Sequence, residues 1–167
     1  GMARRLATSV DARGRRRDTL VAALAIDSIS NAMFTADRWL DLARRDADAL
    51  TTERDEEEKT ALLRSLGLAP GDAVPNNLKP DLKLLEEGQK RRATRSVRDG
   101  LDRILVDLLS LYRDVLSLQL EAGVALVNED LRAGITELAN TSKPAETIAR
   151  LDSIAQARIR IDSNVRD

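Results

Sequence analysis

Apolar residues return at steps of three and four along most of this chain, the period of one face of an α-helix. The clearest run lies between Pro80 and about Ala122. There Val97, Leu101, Ile104, Leu105, Leu108, Leu111, Tyr112, Val115 and Leu118 form one continuous stripe. Pro80 suits a first helical position, where an amide hydrogen would have no partner in any case. At 1.5 Å per residue the segment predicts a central helix about 60 Å long. Opposite charges four residues apart accompany it: Glu86/Lys90, Glu87/Arg91, Arg95/Asp99, Asp99/Arg103 and Arg103/Asp107. Each exposed pair adds only about 0.2–0.5 kcal/mol, against roughly 1.5–3 kcal/mol for burying a Leu or Val. Packing of the stripe therefore decides the fold. Gly88 and Gly100, inside the run, point to a bend or to close contact between helices.

The remaining segments follow the same period. Residues 3–28 read as one or two helices, with Asp11 a candidate cap and Leu20, Ala23, Leu24 and Asp27 on one face, Arg16 and Arg17 at its edge. Ser28-Ile29-Ser30-Asn31 is an interruption rich in capping residues. Met33, Ala36, Leu40, Ala43, Ala47 and Leu50 make the next stripe. Thr51-Thr52 either ends that helix or lets it run on through Ala61, Leu62, Leu63 and Leu66 to a C-cap at Gly67. Residues 67–80 hold three of the four prolines (Pro70, Pro75, Pro80) with Gly71, Asn76 and Asn77, and predict a crossover loop. Gly123 is predicted to end the central helix. A shorter helix over about Asn128–Ala139 turns Leu131, Ile135 and Leu138 inward. A turn at 141–144, capped by Thr141 or Ser142, leads to a last helix over about 144–164 carrying Ile148, Leu151, Ile154, Ala155, Arg158, Ile159 and Ile161. The expectation is an all-α bundle of about five to six helices around one long central helix.

Composition agrees. Of 167 residues, 43% are hydrophobic and 33% charged, and the apolar set is aliphatic, with 26 Leu and 23 Ala against one Trp, one Tyr and one Phe. These are helix formers, and strand-favouring aromatics are scarce. The chain has no Cys and no His. That excludes Cys/His zinc sites, Ser-His-Asp and Cys-His nucleophiles, and a Glu-x-x-His di-iron centre. No Walker lysine or Gly-rich loop after a strand is present, so neither cofactor nor metal is expected. No apolar run approaches the roughly 18–20 residues that span a bilayer, and Arg4-Arg5 is followed by no signal-type apolar stretch. The reading is cytoplasmic, without membrane or small-molecule partners. Gly1 before Met2 reads as the remnant of an expression tag, and a helical pattern running so close to Asp167 predicts further protein beyond it.

Net charge is −1, yet the charges are unevenly placed. Residues 1–17 carry six arginines against Asp11, residues 53–58 read Glu-Arg-Asp-Glu-Glu-Glu, and Lys90, Arg91, Arg92, Arg95 and Arg98 put five cations into nine residues. Such a run can touch phosphates, but no aromatics interleave to stack on bases. An ion-paired face or a protein interface fits it better. Asp99, Asp102, Asp107 and Asp114 are the acid–base candidates. The spacing puts Asp107 and Asp114 at the edge of the stripe, with no desolvated pocket beside them, so no catalytic residue is assigned. Tyr112-Arg113-Asp114 reads either as a core tyrosine flanked by surface charges or as an interface cluster.

The block Leu85-Glu86-Glu87-Gly88-Gln89-Lys90-Arg91-Arg92-Ala93-Thr94-Arg95, continuing through Arg98-Asp99-Gly100-Leu101-Asp102, Asp107-Leu108 and Leu111-Tyr112-Arg113-Asp114-Val115, resembles the C-terminal region of the delta-prime subunit of the bacterial DNA polymerase III clamp loader, in its actinobacterial form. Asn128, Ala157-Arg158-Ile159-Arg160, Asn164-Val165 and the opening Ala3-Arg4-Arg5-Leu6-Ala7 are similar to it as well, so the resemblance covers nearly the whole chain. It implies a helical collar domain that packs beside equivalent domains of the other subunits in a five-membered ring. That ring opens the sliding clamp and places it on primed DNA. On this reading residues 1–10 end a helix leaving an ATPase module, and 11–167 form the collar domain with the 67–80 loop inside it. The domain is not an enzyme, its partners are the other clamp-loader subunits, and it meets DNA only indirectly. Interface residues are expected at Arg91, Arg92, Arg95, Arg98, Tyr112, Arg113 and Asp114. The chain departs from the family in stopping at Asp167, where a further short apolar helix is expected. Two other readings compete: an all-helical enzyme of chorismate-mutase-like type, which needs several cations inside the bundle, and a helical nucleic-acid-binding module using residues 1–17 and 89–98.

Overall fold

The computed structural model describes residues 2–69, 72 and 75–163, with side chains from residue 13 onward. Pro70, Gly71, Asn164, Val165 and Asp167, and the side chains of Arg4, Arg5 and Asp11, lie outside the described residues. The chain is all-helical: α1 (Met2–Leu24), α2 (Ile29–Ser65), α3 (Lys79–Gln119), a single 3-10 turn (Glu129–Leu131), α4 (Arg132–Thr141) and α5 (Pro144–Ser163). No strand occurs among the described residues. The long central helix is α3, of 41 residues.

Helix ends follow from local chemistry. The 3–28 stretch holds one helix rather than two, ending at Leu24, and Asp11 falls inside it, not at its start. Ser28 caps α2: its hydroxyl oxygen accepts from the Asn31 N–H at 3.2 Å, satisfying one of the first-turn donors. Thr51 and Thr52 do not break α2, because each hydroxyl donates back to the carbonyl four residues earlier, Ala47 and Asp48. At the end of α2, Leu68 N–H donates to Leu63 C=O and Gly67 N–H to Arg64 C=O, with Gly67 at φ 75°. This is a Schellman closure with glycine in the left-handed position, as the sequence predicts. Pro80 sits second in α3 rather than first, which is equally tolerated since the first four amides have no intrahelical partner. Thr141 and Ser142 do not cap α5. Their hydroxyls donate back to Glu137 and Leu138 of α4, while Lys143 N–H donates to the Glu146 carboxylate, half of a capping box.

The end of α3 differs from the sequence expectation in an instructive way. The same Schellman pair forms, Ala122 N–H to Ser117 C=O and Glu121 N–H to Leu118 C=O, so Glu121 rather than Gly123 takes the first left-handed position, at φ 51°. Gly123 follows at φ 66°. A side chain in this region costs roughly 1–2 kcal/mol that glycine avoids. Glu121→Gly is therefore expected to stabilise the protein by about 1 kcal/mol, read as a higher midpoint of thermal unfolding. A lower midpoint would show that the Glu121 side chain contributes something that the backbone geometry does not reveal.

The chain divides into two compact units, 1–39 with 101–167, and 40–100. In the first, Leu20 and Ala23 of α1, Leu108, Leu111 and Val115 of α3, Leu131 and Ile135 form the buried core, flanked by Leu24, Trp39, Ile104, Leu105, Leu118, Leu138 and Ile154. The predicted stripe of α3 thus supplies three of the seven core residues. Gly134 lets α4 approach α1: a Cβ there would lie 2.8 Å from Leu24 Cδ1.

The second unit is an antiparallel helix pair. Ala43 of α2 lies against Gly100 of α3, where an added Cβ would sit 3.3 Å from the Ala43 Cβ. Further along, Asp55 meets Arg92 and Lys59 meets Glu86. Gly100 thus serves close helix contact, the second of its two expected roles. Two apolar stripes need correction. On α2, Ala43 and Ala47 are buried as the stripe predicts, but Met33 and Leu50 are 66% and 67% exposed, and Thr35 and Thr51 are buried instead. On α5, Ile148 and Ile159 are exposed while Thr147 is buried. Both threonine-bearing faces escape a hydropathy pattern because the hydroxyls of Thr51 and Thr147 are satisfied by their own helix, donating to Ala47 and Lys143 carbonyls.

Candidate functional site

The seven residues singled out in the sequence fall in both units. Arg91, Arg92, Arg95 and Arg98 belong to the second unit, and Tyr112, Arg113 and Asp114 to the first. Arg91, Arg95 and Arg98 recur at four and three residues along one side of α3, with Arg91 and Arg95 exposed and Arg98 half-buried. Arg92 turns the other way. Its Nη2 donates to Asp55 Oδ1 at 2.7 Å and to the Glu58 carboxylate, while Gln89 Nε2 donates to the Asp55 carbonyl at 2.9 Å. The acidic run 53–58 and the basic run 89–98 therefore meet at Arg92. Hydrogen bonds from Arg54 first, then Arg92, hold the Glu58 carboxyl below its ordinary range, and Asp55 and Glu58 together push the Arg92 guanidinium up. Beside this cluster, Leu62, Leu84, Leu85 and Gly88 line a shallow, mainly apolar groove.

In the first unit the polar residues are built into the packing. Asp114 is fully buried, not at the edge of the stripe and not a surface charge. It lies one position before Val115, so the inward face of α3 at this level carries both. Its carboxylate accepts from Val127 N–H at 3.1 Å, from Asn128 N–H at 2.8 Å and from Asn128 Nδ2 at 2.9 Å, with Arg113 Nη1 at 3.2 Å. Asn128 is also fully buried. It precedes the 3-10 turn in the N-cap position, but its side chain makes no capping bond. Its Nδ2 faces Asp114 and Ser110, and its Oδ1 accepts from Arg16 Nη2 at 2.7 Å. Arg16 Nε donates to Asp107 Oδ1 at 2.7 Å. Two further pairs join distant segments: Arg158 donates to Asp102 through Nε and Nη2, at 2.7 and 3.1 Å, and Arg150 stands 5.7 Å from the centroid of the Tyr112 ring.

Sequence reasoning missed Arg16, Ser110 and Asn128 as members of one cluster. Asn128 carried a signal, a lone amide after the apolar Val124–Val127 stretch, but its partner Asp114 is 14 residues earlier. Only the turn after α3 brings them together.

The arrangement offers little acid–base chemistry. A general acid or base needs a pKa moved toward neutrality in a pocket. Here the shifted carboxyls, Asp27, Glu58, Asp102 and Glu129, all move down, held by hydrogen bonds led by Asn31, Arg54, Arg158 and Arg132 respectively. The Tyr112 hydroxyl is pushed up by burial. Among the described residues no cluster of three or more acidic side chains is placed to hold a metal ion, and no helix is long and apolar enough to cross a membrane. Compared with protein-family models, curated proteins and solved structures, the chain matches none of them.

Proposed function

We propose that this chain is a non-catalytic helical assembly domain, the collar of a delta-prime-type clamp-loader subunit. Its helices pack beside those of the other subunits in a ring that loads the sliding clamp on primed DNA in replication. The observation that supports this reading is which residues carry the resemblance and what they touch. Asp102, Asp107, Asp114, Asn128 and Arg158 all belong to the resembling segments. In the structure Asp102 pairs with Arg158 and Asp114 with Asn128, across 56 and 14 residues of chain. Four polar residues of the resemblance thus pair with one another inside the first unit, across stretches of chain that only the fold brings together. The likeness then concerns architecture, and a packing role follows more naturally from it than catalysis.

Arg91, Arg95 and Arg98 are the proposed interface residues of the second unit. Arg92, already held by two carboxylates, positions the helix that carries them. Tyr112, Arg113 and Asp114 support the interface from the first unit. The test is to mix the chain with the other subunits of an actinobacterial clamp loader and follow co-elution in size-exclusion chromatography. Co-elution is expected, and weaker association when Arg95→Glu and Arg98→Glu are combined. A chain that elutes alone from every subunit overturns the collar reading. Assembly indifferent to the double charge reversal removes Arg95 and Arg98 from the interface.

A further inference from the structure

The polar cluster of the first unit adds a side-chain link between α1 and the turn after α3, next to the core packing of Leu20 with Leu131 and the Arg17–Asp130 pair at 3.5 Å. On one side is Arg16, in the middle of α1. On the other is the irregular segment 120–127, between α3 and the 3-10 turn. That segment is poorly anchored by its own side chains. Leu120, Val124 and Val127 are 59%, 48% and 57% exposed, and only Leu126 is buried. Its start is fixed by the closure of α3 at Glu121 and Ala122. Its end is fixed by Asp114, which receives the amides of Val127 and Asn128.

Asp114 and Asn128 act together, and Arg16 sets how. A guanidinium has donors only, and the Asp114 carboxylate lies among donors as an acceptor. The Asn128 side-chain amide between them can satisfy both in one orientation alone: oxygen toward Arg16, NH2 toward Asp114. Without Arg16 the buried Asn128 oxygen loses its donor, and the amide is held only through Nδ2, which donates to Asp114 and Ser110. Arg16 itself is about one-third exposed in its side chain, as is Asp107 to a lesser degree. Water can therefore take over the Arg16 bonds when α1 moves, whereas the Asp114–Asn128 contact is sealed.

We infer that Arg16 and Asn128 form a conformational link, in which the seating of α1 sets the order of the 120–127 segment and its exposed apolar side chains. The link is a property of the first unit and does not depend on the collar reading. A segment with few buried apolar contacts belongs to the low-stability end of a structure, where a single hydrogen bond shifts the open population. By reciprocity, order in the segment also favours the seated position of α1.

Amide hydrogen exchange of the full chain, followed residue by residue by NMR, tests the link. In Arg16→Met the amides of Val127 and Asn128 are expected to lose protection by roughly tenfold more than those of Leu111 and Ile135, the scale of one hydrogen bond. Asn128→Ala provides the reverse reading, with faster exchange of the Arg16 Nε–H although Asp107 is still present to accept it. Arg92→Met, in the other unit, should leave Val127 and Asn128 unchanged. If Val127 and Asn128 in Arg16→Met fall only in step with Leu111 and Ile135, or do not change, the link is overturned and Arg16 contributes stability alone. Should Arg16→Met fail to fold, Arg16→Lys carries the same test, since one ammonium cannot reproduce the guanidinium's paired bonds.

Discussion

Asp114→Ala is expected to be the most damaging single substitution in this protein outside its aliphatic core. The carboxylate is fully buried and receives two backbone amides and one side-chain amide. Removing it leaves the N–H groups of Val127 and Asn128 with no other acceptor among the described residues. A buried donor left unmade costs about 1–3 kcal/mol, so the loss is expected at roughly 3 kcal/mol or more. In a domain of this size 1 kcal/mol moves the melting midpoint by about 2–4 °C. Asp114→Asn keeps the shape but turns an NH2 toward a neighbourhood of donors, and should fall between Ala and wild type. Thermal unfolding of the three proteins checks the order. If Asp114→Ala loses no more than a typical surface substitution, about 0.5 kcal/mol, the carboxylate does not anchor the turn after α3.

The second large effect is expected at Leu111. It is fully buried among Leu20, Leu108, Val115, Leu131 and Ile135. Truncation to Ala should cost about 2–5 kcal/mol, the transfer of the lost atoms plus the cavity they leave. Ile159→Ala is the matched comparison, because Ile159 also sits on a sequence-predicted stripe but is 59% exposed. Its loss should stay within about 0.5 kcal/mol. Equal destabilisation by the two would mean that α5 packs through a different face from the one described.

The pattern of steps of three and four was sufficient for the helices and for the apolar part of the inward side of α3, because Leu108, Leu111 and Val115 are large aliphatic residues. It was insufficient on α2 and α5. There the buried face includes the predicted Ala43 and Ala47 but also Thr35, Thr51 and Thr147, and the hydroxyls of Thr51 and Thr147 are satisfied by backbone carbonyls four residues earlier. Large residues such as Met33, Leu50, Ile148 and Ile159 enter the predicted stripes although they are exposed. The same limit hid the state of Asp114. A carboxylate beside an apolar stripe looks like an edge residue until the donors that neutralise its burial are known. Those donors come from Val127 and Asn128, beyond a turn whose first left-handed residue is a glutamate that no glycine rule would choose. The Arg92 cluster was half legible: an acidic run and a basic run were visible, but their pairing needed the antiparallel register of α2 and α3.

The placement of aromatic residues has a practical consequence. The single Trp39 packs against the core of the first unit, and Tyr112 and Phe34 belong to that unit too, while residues 40–100 contain no Trp, Tyr or Phe. Intrinsic fluorescence and near-ultraviolet dichroism therefore watch one half of the molecule and are blind to the other. Unfolding of residues 40–100 would appear only in far-ultraviolet dichroism, so a mismatch between the two optical signals during heating would reveal that the two units do not melt as one.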